Sequence, residues 1–175
     1  MTEKESVSKL EAAERQLKTA IRLFFAEGDS ISIHTLVCSA DGILTDLCKH
    51  RGKYPGFMRD VELYIVDGYE QEWLRAVNKA QNFFKHADKD PDGIYEFPAE
   101  LTPGMLVSAI QAYGNLTDQW FLEAKVFFGW FSIKNPKFLK DSEFKDTVRS
   151  WLDSGLDPND LSGILFALDN HPPSS

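Results

Sequence analysis

Arg75, Lys79, Asn82 and His86 follow one another at intervals of four, three and four residues. On an α-helix that spacing stacks a guanidinium, an ammonium, an amide and an imidazole along one side. Groups of this kind bind phosphate oxygens, and a histidine titrating near neutral pH can also move a proton. The ridge therefore suits phosphate binding or proton transfer. Its plain alternative is a solvated helix face.

Directly downstream, Asp88-Lys-Asp90-Pro-Asp92-Gly93 matches the opening of a calcium loop, where alternating carboxylates precede a sharp glycine turn. The match then stops: the twelfth loop position is Ala99, where such loops carry a bidentate glutamate, and Glu100 falls one place late. Asp88, Asp90 and Asp92 form a candidate site for weakly held calcium, or a helix-terminating turn. A second basic group, Lys49, Arg51, Lys53 and Arg59, has the composition to meet a phosphate. His34 borders an apolar helix face, and a metal there requires partners such as His86 with Glu11 or Glu14. No glycine-rich phosphate loop, nucleophile elbow or zinc-ligand spacing occurs.

These residues need elements to position them. The ridge requires a helix over 70–87, whose other face carries Trp73, Ala76, Val77, Ala80, Phe83, Phe84 and Ala87. Upstream, Leu10, Ala13, Leu17, Ala20 and Phe24 predict a helix over 3–26 that stops at Gly28. Ile33, Leu36, Ala40, Ile43 and Leu47 predict a second, capped by Asp29 or Ser30. So short a link makes the pair an antiparallel hairpin. Cys38 and Cys48 on the second helix stand roughly 15 Å apart and cannot pair while it is intact. Two unpaired thiols suit a reducing compartment.

Segment 57–66 is read as helix, since a lone strand has no partner. Thr102 and Pro103 open a long helix through Phe131, with Gly114 and Asn115 as its point of interruption. Two shorter helices are predicted beyond Asn135-Pro136, one over 142–153 and one capped by Asp157 with Pro158 at its first position. The rings of Trp120, Phe121, Phe127, Phe128, Trp130 and Phe131 exceed one helix face and predict packing under the carboxyl-terminal helices or in a homodimer. The expected fold is all-α: one domain over 1–175, an antiparallel helical bundle over 1–132 with a helical extension over 133–175.

Within that layout the run 78–88, Asn-Lys-Ala-Gln-Asn-Phe-Phe-Lys-His-Ala-Asp, resembles HEPN-type proteins, the all-α bundles of the higher-eukaryote and prokaryote nucleotide-binding superfamily. The resemblance spans Lys9 to Phe131 in helix layout and Asn82 to His86 as a motif. It implies a bundle with a polar groove, a nucleotide, RNA or protein partner, and His86 as the ligand-contacting or catalytic histidine. RNase members place an arginine before the histidine, with four to six residues between. Here Asn82 precedes His86 with three between, and Arg75 with ten.

The chain has 175 residues, 43% hydrophobic and 26% charged, enough for one sizeable core. A formal charge of −8 disfavours a broad nucleic-acid footprint and leaves room for a local basic patch. The amino terminus is charged from the start, unlike a signal peptide. The apolar segment 120–131 is broken by Glu123 and Lys125, so no membrane span and a cytoplasmic location are expected.

Overall fold

The structure, a computed structural model, describes residues 4–60, 62, 65, 67–136, 148, 151 and 153–170. It is all-helical, with no strand among the described residues. Among the described residues six α-helices carry the fold: α1 Lys9–Phe25, α2 Ser30–Arg51, α3 Glu70–Lys85, α4 Thr102–Thr117, α5 Leu122–Lys134 and α6 Leu161–Asn170. A 3-10 turn, Ala99–Leu101, leads into α4.

Capping sets where the helices begin. The Ser8 hydroxyl accepts the Glu11 amide at 3.1 Å, so α1 starts at Lys9 rather than near Glu3. Asp29 Oδ1 accepts the Ser32 amide at 2.8 Å and starts α2 as expected. At the far end the cap is Asp160, whose Oδ1 takes the Gly163 amide at 2.8 Å. Asp157 instead closes a local turn through the Asn159 amide, which moves the start of the last helix three residues beyond the expected one. Pro103 occupies the first turn of α4 as predicted.

α1 and α2 form the hairpin, and α4 packs against both. α5 lies on α1 and α4, α6 crosses α1, and α3 sits against α2. The centre is Leu17, Ile21 and Phe25 from α1, Leu44 from α2, Ile110 from α4 and Phe127 from α5, each at most 1% exposed. Phe24, Phe25, Phe127 and Trp130 interlock edge to face, which uses the ring quadrupoles as well as the buried area. Arg22 ties three helices together by donating to Glu123 of α5 and Asp169 of α6.

The predicted long helix over 102–131 is two helices. The break falls at Asp118, whose backbone is left-handed and whose amide returns to the Gly114 carbonyl, not at Gly114-Asn115. Gly114 stays inside α4 because the Trp120 indole, folded back by the break, occupies the space of a side chain there. The break also disposes of the surplus rings: Phe121 meets Tyr113, Trp120 meets Phe128, and Phe127 enters the core.

Residues 57–60 of the predicted third helix form a turn, and most of 61–66 lies outside the described residues. The predicted helix over 142–153 also falls mostly outside them; within it, Trp151 is buried against Gly129. Among the described helices α2 is long and apolar enough to cross a membrane, and half of that stretch is buried inside the bundle.

Truncating Phe127 to alanine is expected to lower unfolding free energy by about 3–5 kcal/mol. Phe166→Ala, at a ring 70% exposed, is expected to change it by less than about 0.5 kcal/mol in the same urea titration.

Candidate functional site

α3 carries the predicted ridge. Arg75, Lys79, Asn82 and His86 are all exposed, while Val77 and Ala80 face inward and are buried. The apolar side is narrower than periodicity suggests: Trp73, Phe83 and Phe84 are half-buried, and Ala76 and Ala87 face solvent. α3 ends at Lys85, which places His86 at the C-cap, outside helical geometry, rather than on the last turn. Lys85 and Lys89 add exposed positive charge beside it. The Lys79 ammonium lies 5.2 Å from the centre of the Tyr95 ring, a cation–π distance. His86 Nδ1 stands 3.8 Å from Asp88 Oδ1, beyond a hydrogen bond.

Asp88, Asp90 and Asp92 are all exposed. The Gly93 amide donates to the Asp90 carbonyl, and the Asp90 carboxylate folds over Gly93. Among the described residues no group of three or more His, Cys, Asp or Glu side chains is placed to hold a metal ion. His34 and His86 do not come together: His34 is buried at 2% exposure and faces Phe84 and Phe97, and His86 is on the surface. Glu14 is engaged elsewhere, accepting from Tyr113 at 2.6 Å and pairing with Lys18.

Beneath α3 lies a polar cluster that periodicity misses. His34, Cys38, Asp41, Thr45 and Cys48 run along α2 at steps of four, three, four and three, all buried. Arg59 belongs to this cluster rather than to a basic surface loop. Its Nε and a terminal nitrogen contact Asp41 Oδ2 at 2.6 and 2.5 Å, and its other terminal nitrogen donates to Asn78 Oδ1 of α3 at 2.8 Å. Burial pushes the Asp41 carboxyl above its ordinary range, and the Arg59 guanidinium opposes that rise. Burial also raises the Cys38 thiol to about 12, so it is inert as a nucleophile near neutral pH.

The segment bearing Arg59 is fixed from three sides. The Met58 amide donates to Ser108 Oγ and the Phe57 amide to Gln111 Oε1, both on α4. Trp73 Nε1 of α3 donates to the Met58 carbonyl at 3.0 Å. Gly56 has φ of +91° and lies so close to the Ser108 backbone that a Cβ would collide with its carbonyl oxygen. α2 carries two acids, Asp41 and the exposed Asp46, and the one sequence signal for this cluster is that Asp41 shares its helical stripe with Cys38, Thr45 and Cys48. The partner of Asp41, eighteen residues on, follows no local spacing.

Compared with known proteins, the chain matches no family model, no characterised protein and no solved structure.

Arg59→Ala is expected to cost about 3–5 kcal/mol, because it leaves the Asp41 carboxylate buried and unpaired; chemical denaturation measures it. A second expectation follows from His34, which burial holds below its ordinary titration range. The unfolded chain takes up a proton near pH 6.5 before the folded protein does. Stability should therefore be full above about pH 6.5 and fall as pH drops below it, by at most about 1.4 kcal/mol per pH unit. His34→Leu should flatten that part of the curve, and an unchanged slope counts against the assignment.

Proposed function

We propose that this chain is a HEPN-like helical-bundle binding protein that holds a phosphate-bearing partner, a nucleotide or an RNA, along the outer face of α3. The observation that supports the reading is the exposure of Arg75, Lys79 and Asn82 on a helix whose inner residues Val77 and Ala80 are buried, with His86 exposed at its C-cap. Such a helix presents the ridge in a fixed frame and spends none of the four side chains on the core. Arg75 and Lys79 supply the positive charge of the ridge, and Lys85 and Lys89 add two more cations beside the exposed Asp88, Asp90 and Asp92. A guanidinium and an ammonium one turn apart suit neighbouring phosphate oxygens, and Asn82 adds both a donor and an acceptor. The proposal contains no catalytic step. His86 contributes contact and, when protonated, charge.

Lys79 gives the site a means of response. Its ammonium rests over the Tyr95 ring, and a bound phosphate competes for the same charge, so binding should perturb the Tyr95 environment. The buried, unpaired thiols Cys38 and Cys48 agree with a reducing, cytoplasmic setting. The alternative uses of the chain rest on less. Asp88, Asp90 and Asp92 do not converge on a calcium position. The rings that motivated a homodimer are absorbed between α4, α5 and the rest of the core.

Titration with ATP and with a short single-stranded oligoribonucleotide, followed by fluorescence anisotropy and tryptophan emission, tests the proposal. Arg75→Ala with Lys79→Ala should weaken binding while altering stability by less than about 0.5 kcal/mol per site. Each lost cation should also reduce the salt dependence of RNA binding by about 1 in the log–log slope. ATP binding without RNA binding identifies a nucleotide site. Full affinity in the double variant, or no binding of either probe, overturns the proposal.

A further inference from the structure

The inner side of α3 roofs a cavity of about 80 Å³, lined by His34, Met58, Trp73, Tyr95, Phe97 and Met105 among others. This space is separate from the outer ridge and lies on the opposite side of the helix. His34 is 2% exposed, and its Nδ1 stands 3.0 Å from Thr102 Oγ1. Its Nε2 is fully buried without a partner. Thr102 makes no other side-chain hydrogen bond among the described residues, and we assign its hydroxyl hydrogen to Nδ1, the arrangement that leaves the Thr102 donor paired and places the ring proton on Nε2. Of the other polar ring groups in the wall, Trp73 Nε1 is spent on the Met58 carbonyl, and the Tyr95 hydroxyl belongs to a half-buried side chain and is not among the buried unpartnered atoms. One buried, unspent donor thus stands in an apolar, largely aromatic chamber, and leaving such a donor unpaired is costly.

The character of the wall selects the occupant. Buried water needs about two to four polar partners, and His34 Nε2 is the one buried unpartnered side-chain atom of the wall among the described residues. An anion would be desolvated beside a neutral imidazole, with no cationic side chain in the lining. The volume is roughly half that of an engineered apolar cavity that admits benzene, about 150 Å³. We propose that this cavity binds a small uncharged molecule that presents one hydrogen-bond acceptor, a carbonyl or amide oxygen, to His34 Nε2 and packs a compact apolar body against the aromatic wall. Ala76 and Leu101 both line the cavity and are exposed, so its rim meets solvent at these two residues.

The test uses the full chain labelled with ¹⁵N, imidazole side-chain spectra, and three probes: acetone, acetamide and xenon. Xenon fills apolar space and has no acceptor. In the free protein the His34 nitrogens should report a neutral ring protonated on Nε2. Acetone and acetamide should shift Nε2 saturably, and both Ala76→Leu and Ala80→Leu, which fill the cavity from its rim and its roof, should abolish the shift. His34→Leu should bind acetone roughly three- to tenfold more weakly, the worth of one neutral hydrogen bond. A ring protonated on Nδ1 overturns the proposal, and this reading needs no variant to fold. Xenon binding without carbonyl binding overturns it as well, since it leaves only a void, and so does failure of all three probes to bind.

Discussion

The contact between Asp41 and Arg59 is the constraint on which the rest of this structure depends. Asp41 is wholly buried on α2, and Arg59 is its only cationic partner at contact distance among the described residues. A buried pair of this kind adds little net stability over an apolar pair of the same shape, but separating the partners costs several kcal/mol. Its force is therefore selective: packings of the 56–60 turn that withdraw Arg59 leave a bare charge in the core. Because Arg59 also donates to Asn78, and Trp73 to the Met58 carbonyl, the same choice fixes the position and rotation of α3.

That rotation decides what α3 can do. With Asn78 turned toward Arg59 and Val77 and Ala80 inward, Arg75, Lys79, Asn82 and His86 must face solvent. The same setting holds Trp73 over the cavity that contains the unpartnered edge of His34. One helix thus separates a cationic surface from an apolar chamber. Tyr95 touches both, lining the chamber while its ring lies under Lys79.

Much of this arrangement is legible in the residues themselves. The steps Ala13, Leu17 and Ala20 mark a truly buried face, Asp29 is where a cap should be, and all four ridge residues emerge on the surface. The failures share one cause. Periodicity assumes that polar side chains point outward, so it draws the α2 face through Leu36, Ile43 and Leu47, which are half-buried, and passes over His34, Asp41 and Thr45, which are inside. An ion pair between a helix and a distant turn has no local spacing to betray it, and so Arg59 reads as a surface cation. The interruption of the long helix is misplaced for a related reason. Gly114 resembles a breaker, yet it is small to admit the Trp120 indole, a tertiary demand invisible along the chain.

Amide hydrogen exchange of Arg59→Met against the unaltered protein tests the central claim most directly, because exchange reports the opening of each element separately. If the Asp41–Arg59 contact holds α3 in place, the α3 amides should lose protection in the variant while those of α1, α4 and α5 around Phe25, Ile110 and Phe127 keep theirs. Protection of α3 that is unchanged, or lost only in step with the whole bundle, would contradict the account.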